Sequence, residues 1–146
     1  MKIKKRISFD YDGSLNDGID GSVNTQKEEI QNFCKLLNSD ERFEVFIITR
    51  RMDEIHKDVG LTDEHRDVHN LAAELGIPSE RIFFTNRKSK LIHIIPLEID
   101  VHIDDEMYDI SQIREYNGKC IGVCVYPENN PENKNWKDYM SELLEL

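Results

Sequence analysis

The chain has 146 residues, 29 of them acidic and 19 basic, which gives a formal net charge of −10. This length fits a single domain that buries a core without disulfide bonds, and the acidic charge opposes strong binding to nucleic acid. No apolar run reaches the roughly 20 residues of a membrane span, and no apolar run of signal-peptide length follows the basic N terminus. We therefore expect a cytoplasmic protein without a membrane partner.

The first predicted element is a buried strand that ends in acidic residues. Residues 7–15 read ISFDYDGSL, an apolar run that leads into Asp10 and Asp12 and breaks at Gly13 and Ser14. A turn that begins at Asp12 can bring both carboxylates around one point. Two anions at such a point would attract a divalent cation.

Helix and strand patterns alternate along the rest of the chain, and Asn24 or Thr25 is the predicted cap of the first helix. This alternation predicts an α/β three-layer sandwich, with a Rossmann-like, mostly parallel sheet of about five strands and helices on both faces. We expect one domain over residues 1–146. The predicted elements after the first strand are a helix that ends near 38, a strand over 43–49, a short helical piece from 52, a helix over 62–75, a strand over 81–85, a helix over 89–95, a strand over 98–105, a helix over 107–116, a strand over 120–125 and a last helix over 136–144.

Polar side chains stand at the predicted carboxyl ends of two later strands. Thr49 and Arg50 follow the second strand, and Asp104 with Asp105 ends a strand that repeats the opening pattern. Lys90 precedes that strand, at the start of a predicted helix. Because ligands of open parallel sheets bind beyond the carboxyl ends of the strands, we expect these side chains to converge with the acids of the first strand.

These elements resemble, in their order along the chain, the four motifs of the haloacid dehalogenase-like (HAD) superfamily in its phosphatase branch. The resemblance covers nearly the whole chain, and three of the four elements end an apolar strand. The matching residues are DYDGS at 10–14, Thr49, Lys90 and the pair Asp104 and Asp105.

Two positions need comment. Ser14 stands where threonine is commoner in that family, and it keeps the hydroxyl group. Lys88 is an alternative to Lys90 as the lysine of the third motif. We favour Lys90 because it lies at a helix start and because its distance from Asp104 fits better.

The resemblance implies a magnesium-dependent phosphomonoester hydrolase that forms an aspartyl-phosphate. Asp10 would attack phosphorus, and Asp12 would protonate the leaving oxygen and later take a proton from water. Magnesium would be held by Asp10, the backbone carbonyl of Asp12 and Asp104. Asp105 would lie behind these ligands, where it orients Lys90 or a metal-bound water.

The same resemblance implies contacts to the phosphoryl group. Thr49 and Lys90 would bind its oxygens, and Gly13, Ser14 and Arg50 are further candidates for substrate binding. Arg50 or the adjacent arginine could instead meet a second anionic group.

The intervals between the motifs are short, so we expect a minimal or absent cap and an open site. The spacing from Lys90 to Asp104 resembles that of nucleotidase-like members, which favours a nucleotide or another small phosphorylated metabolite as substrate. Two alternatives remain open. One is a phosphatase that acts on a macromolecular end, a polynucleotide 3′-phosphate or a phosphoprotein. The other is a noncatalytic metal- or phosphate-binding protein on the same scaffold.

Other readings of the acidic and histidine patterns fit less well. A calcium-binding EF-hand loop that began at Asp10 would need Gly and Glu where Leu15 and Gly21 stand. A signalling receiver domain has its phospho-accepting Asp at the end of a later strand. His65 and His69 have the spacing of a helical metal pair, but without an HExxH pattern we expect a solvated helix face.

Overall fold

The computed structural model describes residues 3–53 and 65–146. Five strands form one sheet: β1 (Lys5–Phe9), β2 (Phe43–Thr49), β3 (Ile82–Phe84), β4 (Val101–Asp104) and β5 (Ile121–Cys124). Their order across the sheet is β3-β2-β1-β4-β5, and every neighbouring pair is parallel. This confirms the predicted Rossmann-like α/β fold.

Helices cover both faces of the sheet. They are α1 (Lys27–Asn38), α2 (Arg66–Leu75), α3 (Leu91–Ile94), α4 (Met107–Tyr116) and α5 (Trp136–Leu144). Apolar side chains of α1, α2 and α5 pack on one face, and those of α3 and α4 pack on the other. Over the two described ranges, no helix is both long enough and apolar enough to cross a lipid bilayer.

The sequence of β2 shows why the sheet needs helices on both sides. Phe43, Val45 and Ile47 belong to the core beneath α1, α2 and α5, whereas Phe46 and Ile48 belong to the core beneath α3 and α4. Successive side chains of a strand point to opposite faces, so an apolar run of this length must be covered twice. Burial of both faces fixes β2 next to the centre of the sheet.

The strand order places the start of the chain at the centre. β1 pairs with β2 on one side and with β4 on the other. The chain builds outward from β1 to β3 and then returns to the opposite side of β1 for β4. The order therefore reverses between β1 and β4, and a crevice opens there beyond the carboxyl ends of the strands.

Most predicted elements are present, with differences at their ends. The predicted bounds of β2 and α4 are confirmed, and α1 ends at Asn38 as expected. The first helix begins later than predicted, because Asn24 first closes a turn: its Oδ1 accepts the amide N–H of Gln26. β4 begins at Val101 instead of residue 98, because Glu98 has a left-handed φ of 53° and ends the preceding turn. The predicted helical piece after residue 52 and the start of the helix over 62–75 fall mainly on 54–64, outside the described residues.

Candidate active site

The turn after β1 sets the position of the two leading acids. Asp10 extends the pairing of β1, since its amide donates to the carbonyl of Ile103 on β4 at 3.0 Å. The chain then turns over Tyr11–Leu15, where Asp12 and Gly13 have non-helical backbone angles and Gly13 has a φ of 80°. A Cβ atom at Gly13 would collide with the carboxylate of Asp105. Glycine is therefore needed there both for its backbone conformation and for the close approach.

Lys90 lies between the acids of β1 and β4. Its Nζ donates to Asp10 Oδ1 and to Asp104 Oδ2, each at 2.6 Å, and only 3% of its side chain is exposed. Lys90 stands at the N-terminal end of α3, whose first amide, that of Leu91, donates to the hydroxyl of Ser89. Lys88 is exposed. Of the two candidate lysines, the structure thus brings Lys90 to the acids.

The proton affinities of this buried group follow from charge and burial. Burial lowers the pKa of Lys90, but the charges of Asp10, Asp104 and Asp109 outweigh burial and hold it above its ordinary value. Burial raises the pKa of Asp104, yet Lys90 and a hydrogen bond from His102 bring it below its ordinary range. The ion pair of Lys90 with Asp104 is therefore fully charged at neutral pH.

Burial also affects the two acids that face one another across the crevice. Burial and the charge of Asp104 raise the pKa of Asp10 well above its ordinary value. Burial and the same charge raise the pKa of Asp105 to about 6, although a hydrogen bond that Asp105 accepts from Asp10 opposes the shift. One ammonium does not balance this group of carboxylates, so a further cation would be favourable here.

Three carboxylates fit a hard divalent cation. One oxygen each of Asp10, Asp104 and Asp105 lies within 4.8 Å of the others, and oxygen donors are the ligands that Mg²⁺ prefers. Asp105, expected behind the ligands, is thus close enough to be a direct ligand. The side chain of Asp12 instead accepts hydrogen bonds from Arg51. Metal binding by the backbone carbonyl of Asp12 stays a prediction.

Thr49 and Arg50 reach the same crevice from the end of β2. Thr49 is 1% exposed, and its hydroxyl accepts the amide N–H of Arg51 at 3.3 Å. Arg50 donates to Asp109 at 3.2 Å and its guanidinium lies 4.6 Å from the ring centre of Tyr108. The charge of Arg50 is therefore already paired with an acid.

Gly13 and Ser14 make contacts within the protein. The Ser14 hydroxyl donates to Asp10 Oδ2 at 3.1 Å, and the Gly13 amide donates to the carbonyl of Asp17. Ser14 therefore orients the carboxylate of Asp10 from the side opposite Lys90. Substrate binding by these two residues stays a prediction.

An open cavity of about 270 Å³ joins these side chains. It brings together predicted residues from the ends of β1, β2 and β4 and adds a loop after β1 and the start of α4. The residues that line it are Asp10, Asp12, Gly18, Ile19, Asp20, Ser22, Thr49, Arg50, Lys90, Asp104, Asp105, Glu106 and Asp109.

The sequence reading missed two buried polar residues. His102 lies between Ser8 Oγ, at 2.6 Å, and Asp104 Oδ2, at 2.8 Å. Asp109 is 2% exposed and lies 3.7 Å from the ammonium of Lys90. The sequence held a signal for each of them. His102 lies two residues before Asp104 and so points to the same face of β4, and Asp109 lies four residues after Asp105, about one helical turn away.

His65 and His69 do not form a fully solvated face. Both are partly buried, their ring centres are 6.1 Å apart in an edge-to-face arrangement, and His69 also packs against Phe84. This differs from the expected solvated face because the first turn of α2 packs against the end of β3.

We found no protein-family model that matches the chain and no significant match among curated proteins.

Proposed function

We propose that the protein is a magnesium-dependent phosphomonoester hydrolase that acts through an aspartyl-phosphate on Asp10. The observation that carries this proposal is the buried ammonium of Lys90, which bridges Asp10 and Asp104 at the mouth of an open cavity. The resemblance of the four motifs to HAD-like phosphatases supports the same chemistry.

The first step transfers the phosphoryl group to Asp10. A carboxylate oxygen of Asp10 forms a bond to phosphorus while the bond from phosphorus to the leaving oxygen breaks. Lys90 and Thr49 bind the phosphoryl oxygens, and Asp12 supplies a proton to the leaving oxygen. Ser14 and Lys90 hold the two oxygens of Asp10 in place before the attack.

The second step releases phosphate. Asp12 takes a proton from a water molecule that attacks phosphorus, and the bond from phosphorus to the Asp10 oxygen breaks. Asp10 is regenerated and inorganic phosphate leaves. A magnesium ion held by Asp10, Asp104 and Asp105 would offset the repulsion between the carboxylates and the phosphoryl group in both steps.

The charges around the cavity favour a substrate with a single phosphate. Among the described residues, the lining has two cations, Arg50 and Lys90, and both already contact acids. A second phosphate would meet acidic side chains at the rim, such as Asp20 and Glu106. We therefore favour a small phosphomonoester, with a nucleoside monophosphate as one member of the class.

The test is phosphate release from a panel of phosphomonoesters, measured with magnesium and with a chelator. We expect magnesium-dependent turnover that Asp10→Asn abolishes, because the amide is a poor nucleophile. Asp138→Asn, the same change at an exposed position of α5, is the matched control and should keep full activity. Metal-independent turnover, or full activity of Asp10→Asn, would contradict the proposal, and binding of phosphate without turnover would favour a noncatalytic protein.

A further inference from the structure

We infer that Arg51 is a positioning residue for Asp12, and that its guanidinium fixes the direction in which the Asp12 carboxylate meets the substrate. This inference rests on the proposed hydrolase function. The steps of the proposed reaction give Arg51 no role, and this inference assigns it one.

The contact between the two side chains is a bidentate ion pair. Arg51 Nε donates to Asp12 Oδ2 at 2.9 Å, and Nη2 donates to Oδ1 at 2.7 Å. Two parallel hydrogen bonds form only when the planes of the guanidinium and the carboxylate align. The pair therefore sets the side-chain rotation of Asp12 as well as its position.

Arg51 is itself held by contacts to Asp67 and Tyr11. Its Nη1 donates to both oxygens of Asp67, at 2.8 and 3.0 Å, and its guanidinium lies 4.9 Å from the ring centre of Tyr11. The hydroxyl of Tyr11 donates to Asp67 at 3.2 Å and completes the group. The end of β2, the turn after β1 and the first turn of α2 thus fix one guanidinium, whose side chain is 11% exposed.

Asp12 needs this support because of where it stands. It lies in a turn with non-helical backbone angles, next to Gly13, and it faces a cavity in which half of the other described lining residues are acids. Those charges would push an unsupported carboxylate toward solvent. Arg50 lines the cavity, whereas Arg51 is not among its described lining residues. Arg51 therefore acts through Asp12 and not by contact with the phosphoryl group.

The first test is the steady-state kinetics of Arg51→Met and Arg51→Lys with the best substrate of the panel. We expect kcat to fall about 10- to 100-fold in Arg51→Met, with KM within about twofold, because misplacement of a reacting group by about 1 Å costs on this order. Arg51→Lys keeps the charge without the planar fork, so it should restore little of kcat. Arg42→Met removes a comparable fork to Asp40 at the opposite end of the sheet and should leave both constants unchanged.

The second test is a double-mutant cycle that separates positioning from a general effect on the fold. In an Asp12→Asn background, Arg51→Met should lower the residual kcat by less than about twofold, since no proton-transferring carboxylate remains to be placed. Binding of Mg²⁺ to Arg51→Met, measured by calorimetry, should stay within about threefold of wild type.

Each result separates this inference from the proposed function. An equal loss in the two backgrounds, a kcat of Arg51→Met within twofold of wild type, or a loss of Mg²⁺ binding would overturn the positioning role while the hydrolase proposal stands. A wild-type protein without metal-dependent turnover on any phosphomonoester would overturn both.

Discussion

Lys90 shows how one side chain can organise a candidate active site. Its ammonium is almost fully buried, contacts Asp10 and Asp104 directly, and has Asp109 as a third acid nearby. An ammonium buried in this way is tolerated because several carboxylates share it. The same contacts leave the lysine close to any phosphoryl group that approaches Asp10.

Replacement of this ammonium should affect both stability and activity. We expect Lys90→Met to lower the free energy of unfolding by about 3–5 kcal/mol, because the buried carboxyl groups of Asp10 and Asp104 would lose the cation between them. Phosphatase activity should become undetectable. The measurements are urea unfolding and phosphate release, with Lys88→Met as the matched control because that lysine is exposed. A Lys88→Met variant that loses activity while Lys90→Met keeps it would reverse the assignment.

Single residues were predictable from sequence where they follow an apolar strand. Lys90 was preferred over Lys88 from its place at a helix start, and the structure brings that lysine to the acids. His102 and Asp109 were not predicted as part of this group, because Ser8 and Lys90, which lie beside them, come from other elements. Ser8 faces His102 through the register of β1 with β4, which residue types alone do not specify.

At the scale of an element, the turn over Tyr11–Leu15 decides whether the acids meet. Gly13 and Gly21 both have positive φ angles, of 80° and 88°. A Cβ atom at Gly13 would collide with Asp105, whereas one at Gly21 would meet open space. The two glycines therefore separate the cost of backbone strain from the cost of displacing a carboxylate.

This pair gives a matched experiment. We expect Gly13→Ala and Gly21→Ala each to lose about 1–2 kcal/mol of stability, from the left-handed backbone conformation. Gly13→Ala should in addition weaken Mg²⁺ binding by about tenfold or more, since Asp105 must move. Calorimetric titration with Mg²⁺ and thermal melting are the measurements. Equal Mg²⁺ affinities in the two variants would show that Asp105 is not a ligand.

Element bounds were predictable where pattern and packing agree. The strand over 43–49 and the helix over 107–116 were exact because an apolar run or an apolar face ends sharply there. The start of β4 was not predicted correctly, because it depends on the left-handed conformation of Glu98. Glutamate is not a residue that signals such a turn. Loop conformation of this kind follows from tertiary contacts.

At the scale of the whole molecule, seven of the 29 acidic residues belong to the described lining of one cavity. Asp10, Asp104 and Asp105 share a cavity with the further acids of its rim. Since like charges in a compact site oppose folding, part of the stability should depend on a bound cation.

Removal of one charge should make this dependence visible. In the absence of metal, we expect Asp105→Asn to raise Tm by roughly 3 °C, the shift that about 1 kcal/mol produces in a domain of this size. Added Mg²⁺ should then stabilise the variant less than the wild type. Differential scanning calorimetry with and without Mg²⁺ is the measurement. Glu106→Gln changes an exposed acid of the same rim and is the control, so Mg²⁺ should stabilise this variant as much as the wild type. If Mg²⁺ stabilised Asp105→Asn equally well, that result would contradict the three-carboxylate site.

The fold class was predictable from the alternation of helix and strand patterns, and the parallel sheet from its nearly continuous apolar strands. The order of the strands was not predicted. It depends on which strand pairs with the free edge of β1 once β2 has taken the other edge, and that is a property of the packed chain.

The central place of β1 has a consequence for how the protein is made. Lys90 and Asp10 are 80 residues apart in the chain, and Ser8 and His102 are 94 apart. A growing chain thus displays Asp10 and Asp12 long before it contains the lysine and the acids that complete their surroundings. The central strand stays half-paired until β4 emerges, so the proposed magnesium site can form only late, in a nearly finished domain.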